Sequence, residues 1–511
     1  MIAAMRRAGS GAFFAACALV LVACGARVPP LEQAGVVVPT GGAVPTSGPA
    51  TGLPTAGPSA TAIPTTGTGP IPFDPVTPAN CKPGKGDVGV TDTTIKLGLI
   101  ASKTGPLPGQ FDSAVEAVDA YFKGLNEAGG ICGRLVDLEI RDDGGNGNNN
   151  LQLAESLARE EKIFAFVGSH SAPDDSGIAK VSKRDRIPDI GFPLTWERAE
   201  NPFTYGVPGI VQKNTIGVGA TGSKYLNKVN DIKQIALFWL KESEVSILNA
   251  WAFEAAMMKA TNNGLTVCHE QPAGVLDNNY TNYVVSMQGN CRPENGNVAV
   301  YSTMENNANI KLAKAMKGQG FKPKVFAPTF TSYLPSFIED AEGATEGAYI
   351  AMPQIPIERL QAPESTWSEG TYELKRYLDT LYRFVPRPHP PGSFGGPAWA
   401  QAALFTEAAA RCGPDLTRDC LFRKLDTMGP FSDHGFVAPN DPASHHVYTA
   451  DLIVQVRDGR FTEIRPNDRS GPKLGPDFWD DSELFDWQKY YCANKGKFPN
   501  TAEKDALIDA C

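Results

Sequence analysis

The chain has 511 residues, 42% of them apolar and 20% charged, with a formal net charge of −9. That length and balance suit two or three soluble domains around a large core. The acidic balance excludes nucleic acid as a partner, because nothing in it would neutralise phosphates.

The chain opens on a targeting segment, residues 1–24. Arg6 and Arg7 form a basic start, and the apolar run Ala12–Ala23 is too short to span a bilayer. The run ends in Leu21-Val22-Ala23-Cys24, which resembles a bacterial lipobox. That resemblance implies that Cys24 is lipidated and becomes the mature N-terminus, tethering the protein to the outer face of the cell membrane. A plain cleaved signal peptide is the alternative. Residues 25–80 are Pro, Thr, Gly and Ala with few charges, a composition that cannot bury enough apolar surface to fold. They are expected to form an extended tether.

From Cys81 onward, strand and helix patterns alternate, which predicts parallel sheets covered on both faces. The first strand is expected at Thr94–Ile100. A helix over Ser113–Ala128 places Val115, Val118, Phe122 and Leu125 on one face and closes at Gly129-Gly130. A second helix, Leu151–Glu160, leads to the apolar strand Ile163–Val167. Gly168 breaks that strand, and Ser169-His170-Ser171-Ala172 runs into Pro173-Asp174-Asp175, a helix-start pattern. With the next strand, Pro188–Phe192, this makes a βαβ unit whose turn places free backbone N–H groups beside a strand end. The pattern resumes with strands at Ile232–Leu240, Leu265–Cys268, Asn297–Ser302 and Lys324–Pro328. Helices are expected at Ile247–Thr261, Ala308–Lys317, Tyr372–Tyr382 and Trp399–Arg411. A hairpin is expected to turn at Asp458-Gly459.

Several short phrases recur in a telling order: Thr104-Gly105-Pro106, Asn126–Ile131 with Gly133-Arg134, Arg141-Asp142-Asp143, Phe166-Val167-Gly168 and Ile187-Pro188. In that order the chain resembles the type I periplasmic solute-binding proteins, in particular the branched-chain amino-acid (Leu/Ile/Val-binding) kind that serves ABC importers. The resemblance implies an α/β fold of two doubly wound parallel-sheet lobes joined by three hinge crossings, a Venus-flytrap. Lobe 1 would hold residues 92–213 and 353–446, and lobe 2 residues 214–352 and 447–470. The tail, 471–511, extends beyond the usual end of such proteins.

What the resemblance implies about a ligand is specific. Lobe 1 would hold a solute carboxylate through backbone amides around Ser169, His170, Ser171 and Ala172, with Leu194 and the Thr195 hydroxyl helping. Gln110 stands where relatives carry an aromatic wall residue. In lobe 2, Thr329 stands where relatives carry an acid, Glu244 where they carry an aromatic, and Glu305 and Asn306 fall at other contacts. The implied solute is amino-acid-like, an amide or a carboxylate, with a standard branched-chain amino acid disfavoured. The implied partners are that solute, importer permeases, and the membrane through the lipid anchor, with the protein a monomer. A sensor that signals to a membrane partner without transport is the alternative.

Ten cysteines occur, and setting aside Cys17 and Cys24 leaves eight. Eight allow roughly a hundred pairings. Their grouping favours Cys81–Cys132, Cys268–Cys291, Cys412–Cys420 and Cys492–Cys511. No metal-ligand spacing links the six histidines, and no P-loop or GxSxG is present. No metal, cofactor or catalytic residue is therefore expected.

Overall fold

The structure is a computed structural model describing residues 69–207, 219–445, 448, 450–464, 473–474, 478–480, 486–507 and 511. The leader with Cys24, the tether up to residue 68, residues 208–213 before the first expected change of lobe, and residues 446–447 at the last lie outside the described residues.

Lobe 1 begins with β1 (Thr94–Ala101), α1 (Asp112–Glu127), β2 (Leu135–Asp142), α2 (Gly147–Arg159) and β3 (Ala165–Val167). It continues with α3 (Ser176–Asp185), β4 (Asp189–Gly191), α4 (Trp196–Ala199) and β5 (Thr204–Gly206). The five strands form one parallel sheet in the order β2-β1-β3-β4-β5. Alternation along β1 and β3 splits the apolar side chains between two faces. Leu97, Leu99, Ala165 and Val167 join the main core, while Ile100 and Phe166 meet Leu157, Ile178 and Val181 of α2 and α3. Gly168 ends β3 with φ +77°, and a Cβ there would lie 2.4 Å from Val118 of α1. Only glycine lets this helix pack so close to the turn.

Lobe 2 repeats the pattern with α5 (Ala220–Val229), β6 (Ile232–Leu240), α6 (Glu244–Ala260), β7 (Thr266–Ala273) and α7 (Tyr280–Asn290). It adds β8 (Asn297–Ser302), α8 (Asn306–Gly318), β9 (Val325–Pro328) and α9 (Pro335–Glu339), and its parallel sheet runs β7-β6-β8-β9. The chain then passes through β10 (Tyr349–Met352) to α10 (Glu369–Phe384), α11 (Gly395–Cys412) and α12 (Arg418–Asp426). These helices return to lobe 1, where α10 and α11 pack on α1.

A third, antiparallel sheet was not expected as such. In it β10 pairs with β11 (Ala450–Arg457), which also pairs with β12 (Arg460–Ile464) and, through β13 (Lys473–Leu474) and β14 (Phe478–Asp480), with the tail. The β11–β12 hairpin does turn at Asp458-Gly459, both with positive φ, the geometry of a tight two-residue turn.

All four local disulfides form, with Cα–Cα separations of 4.8, 5.1, 6.0 and 5.5 Å in chain order. The extended tether gives way before Asn80. Phe73 packs edge-on against Tyr121 at 4.9 Å, and the Ile71 amide donates to Asp379 at 3.0 Å. Phe73 and Val76, both partly buried, pack this stretch against the core.

The tail also folds. Helices α13 (Trp487–Asn494) and α14 (Thr501–Leu507) lie against lobe 2, with Trp487 and Tyr491 each 1% exposed. The Lys504 ammonium sits 2.7 Å from both Glu254 of α6 and Glu270 of β7.

Candidate functional site

In both parallel sheets the strands end facing each other, and loops at such carboxyl ends form the usual crevice of an α/β fold. A cavity of about 230 Å³ lies there, near the lower end of small-molecule sites, which start at about 300 Å³. Lobe 1 contributes the β1–α1 loop (Pro106, Leu107, Gln110, Phe111), Ala172-Pro173 after β3, Phe192 and Leu194 after β4, and Phe394. Lobe 2 contributes Leu240, Glu242 and Ser243 at the β6–α6 turn, Val245, Ser246 and Asn249 of α6, Val275 after β7, Thr303–Glu305 after β8, and Thr329–Thr331 after β9.

Aromatic rings dominate one side. Phe394 lies 5.0 Å from Phe111, 5.8 Å from Phe192 and 5.3 Å from Phe330, so it joins both lobes. Such edge-on pairs add to the apolar burial that holds a wall rigid. The lobes touch again where the Trp196 amide donates to Glu244 at 3.1 Å.

Most polar groups in the wall are already bonded within the chain. Ser246 donates to the Thr303 carbonyl at 2.9 Å, Thr303 to the Ser246 carbonyl at 2.8 Å, and Thr331 to the Met304 carbonyl at 3.1 Å. Glu305 caps α8, accepting from the Asn307 and Ala308 amides at 2.5 and 2.6 Å. Burial pushes its carboxyl up, opposed by those two amides and by Lys311. Gln110 differs, since its buried Nε2 has no partner. The wall residues include Glu242 and Glu305 but, among the described residues, no Lys, Arg or His.

Of the residues expected to bind, Gln110, Ala172, Leu194, Glu305 and Thr329 do line this cavity. Ser169, His170, Ser171, Thr195, Glu244 and Asn306 do not. Ser169 is fully buried, and its hydroxyl accepts from the Ile100 amide at 3.1 Å. The Ser171 hydroxyl turns to the Ile100 carbonyl at 3.3 Å. The Ala172 amide is used by the Ser102 hydroxyl at 3.0 Å. His170 is fully buried, stacked on Phe192 at 5.8 Å, with Nδ1 2.9 Å from the Gly168 carbonyl. Burial lowers its pKa to about 4, with the Arg198 charge adding to that, so the ring is neutral and packs as an aromatic. Asn306 turns away, donating to Ser336 at 2.9 Å. Glu244 is committed to the bridge with Trp196.

Thr195 carries the largest correction. Its hydroxyl donates to Asp175 at 2.5 Å, and the Leu194 amide donates to the other oxygen of the same carboxylate at 2.8 Å. The cradle expected to hold a solute carboxylate is filled by one of the chain's own. Asp175 is fully buried and is bound as well by Arg198, at 3.0 Å, which forks onto Asp189 with two contacts of 2.8 Å. Burial works against the Arg198 charge, but Asp189 and Asp175 outweigh it and hold its pKa above the ordinary range. The sequence reading placed Asp175 in the first turn of a helix. Helix α3 instead begins at Ser176, whose amide is held by Asp174 at 2.9 Å, which frees Asp175 to turn inward.

Sequence reasoning missed the aromatic wall. Phe192 and Phe330 directly follow strands and so carried a positional signal. Phe394 lies more than 60 residues beyond Phe330 and carried none.

Two helix-covered parallel sheets facing one another across a cavity at their strand ends define a two-lobed solute-binding protein. The family described as Periplasmic binding protein matches residues 94–460, and the chain belongs to it. Among solved structures it is similar to the branched-chain amino acid transporter substrate binding protein LivJ from Streptococcus pneumoniae. The two are 14% identical with a TM-score of 0.59, over 73% of this chain and 100% of that one. The leucine binding protein LivK from Thermotoga maritima is also 14% identical, with a TM-score of 0.57 over 73% of this chain and 98% of that one. A fatty acid ABC transporter substrate-binding protein from Thermomonospora curvata is 19% identical, with a TM-score of 0.58 over 76% and 95%. At such identities the likeness shows the fold. No curated protein matches the sequence.

Proposed function

We propose that this chain is an extracytoplasmic solute-binding lipoprotein. It captures a small, mostly apolar solute bearing an uncharged hydrogen-bonding group such as an amide, closes its lobes on it, and delivers it to an ABC importer. The observation that carries the solute class is the cavity wall, which is aromatic and aliphatic and has no cation among its described residues. A carboxylate enclosed there would lose its hydration with no positive partner, a cost of several kcal/mol. The unpartnered Gln110 Nε2 supplies a donor that an amide or other carbonyl oxygen would satisfy.

Calorimetry with matched pairs tests this. A branched aliphatic amide is expected to bind at least tenfold more tightly than the corresponding carboxylate, and Gln110→Ala to weaken the amide about two- to tenfold, the worth of one hydrogen bond. Tighter binding of the carboxylate, or of leucine itself, would reject the reading.

Export and anchoring rest on the leader, its lipobox, and the finding that no described helix is long and apolar enough to cross a membrane. Cys24→Ala is expected to move the protein from the membrane fraction to the soluble one or leave it unprocessed. Fractionation and mass spectrometry of the N-terminus read this out. Unchanged processing with full membrane retention would refute lipidation at Cys24.

A further inference from the structure

Away from the interlobe cavity, on the side of lobe 1 where α10 and α11 pack, three potential ligands converge. One oxygen each from Glu373 and Asp433 and one ring nitrogen of His434 lie within 4.8 Å of one another. Glu373 belongs to α10, while Asp433 and His434 lie in the loop after α12. That loop borders an open pocket of about 590 Å³, which gives an ion a route in from solvent.

The cluster is unlike a solvated acidic patch. Asp433 is 6% exposed, and its Oδ2 has no hydrogen-bond partner. A buried carboxylate oxygen left without a donor is costly, so it needs either a proton or a cation. Glu373 is buried too. Its Oε1 accepts from the Trp399 indole at 3.0 Å and its Oε2 from Arg376 at 2.5 Å. Each oxygen keeps a second lone pair, and the two bonds fix the carboxylate as an outer shell fixes a ligand. Two carboxylates against one guanidinium leave the group net negative, while exposed His434 closes it from the solvent side.

We infer that Glu373, Asp433 and His434 form a binding site for a divalent transition ion of the Zn²⁺ class. The carboxylates are hard donors, but the imidazole is a borderline one, so the set is better matched to Zn²⁺ than to Mg²⁺ or Ca²⁺, which prefer all-oxygen sets. Three protein ligands on an open pocket leave the fourth position to water. The bound ion would supply the missing partner of Asp433 Oδ2. No sequence spacing could announce the site, since two ligands are adjacent and the third is sixty residues earlier. The site is separate from the solute cavity, and its failure would leave the solute reading intact.

Tag-free, chelator-treated full-length protein titrated with ZnCl₂ at neutral pH tests it. One Zn²⁺ per chain is expected, bound at least tenfold more tightly than Mg²⁺. His434→Ala and Asp433→Asn are each expected to weaken Zn²⁺ at least tenfold. His434 is exposed, so its variant should unfold at the wild-type temperature without metal. Asp433→Asn should not lower that temperature, because it removes a buried charge. No stoichiometric binding up to millimolar Zn²⁺ would overturn the proposal. Undiminished binding by both variants, or tighter binding of Mg²⁺, would overturn it as well.

Discussion

Replacing Arg198 by methionine is expected to cost the protein about 3–5 kcal/mol, the usual penalty for stranding a buried charge. Arg198, Asp175 and Asp189 are all fully buried. The guanidinium satisfies both carboxylates and also donates to the Ser169 carbonyl at 3.2 Å. Methionine would fill the volume but leave Asp175 and Asp189 with no counter-charge. Asp189 would keep Thr204, at 2.9 Å, and Asp175 would keep Leu194 and Thr195. Those neutral donors do not balance two negative charges. Because total stability is about 5–15 kcal/mol, the loss should be visible as a large drop in the urea midpoint. Adding Asp175→Asn to the methionine variant is expected to recover part of it, a coupling that a double-mutant cycle measures. A loss below about 1 kcal/mol for the single variant would contradict this account. The same group bears on function, because Asp175 occupies the donors of Leu194 and Thr195 next to the cavity.

The second large effect concerns the tail. Lys504→Met should release α13 and α14 from lobe 2, because it leaves Glu254 and Glu270 buried without their ammonium. Increased proteolysis within the tail and a red-shifted signal from buried Trp487 are the expected readouts. A tail as protected as in the wild type would reject the pin.

A pH dependence follows from the same cluster. Burial pushes the Glu254 carboxyl up to about 8, with Lys504 opposing and Glu270 adding to the rise. The folded state then binds more protons than the unfolded one between about pH 4.5 and 8. Stability from this group is therefore present at low pH and is lost as pH rises through that window, by at most roughly 1.4 kcal/mol per pH unit. Glu254→Gln should flatten that slope, and an unchanged slope would assign it elsewhere.

The alternation of strand and helix was readable because parallel strands covered on both faces are continuous apolar runs. Ile232–Leu240 and Asn297–Ser302 are strands over those residues. Helix starts were less readable. α6 begins at Glu244 and α8 at Asn306 because the side chains of Ser243 and Glu305 cap them, and caps lie outside the apolar periodicity. Strand β7 runs on to Ala273 through Cys268-His269-Glu270-Gln271, a largely polar stretch held extended by pairing with β6. The four disulfides were legible because each joins cysteines close in sequence.

The sequence by itself determined the class of fold and the strand ends around which a site would form, because these depend on local patterning and order. Only the tertiary structure decided what the site can hold. Asp175 turns inward because Arg198 and Thr195, some twenty residues on, offer it partners, and Phe394 reaches the cavity because α11 packs back onto lobe 1. Lys504 finds two carboxylates more than two hundred residues earlier. Such choices are set by which buried charge or ring meets its complement across the fold, and linear spacing does not encode them.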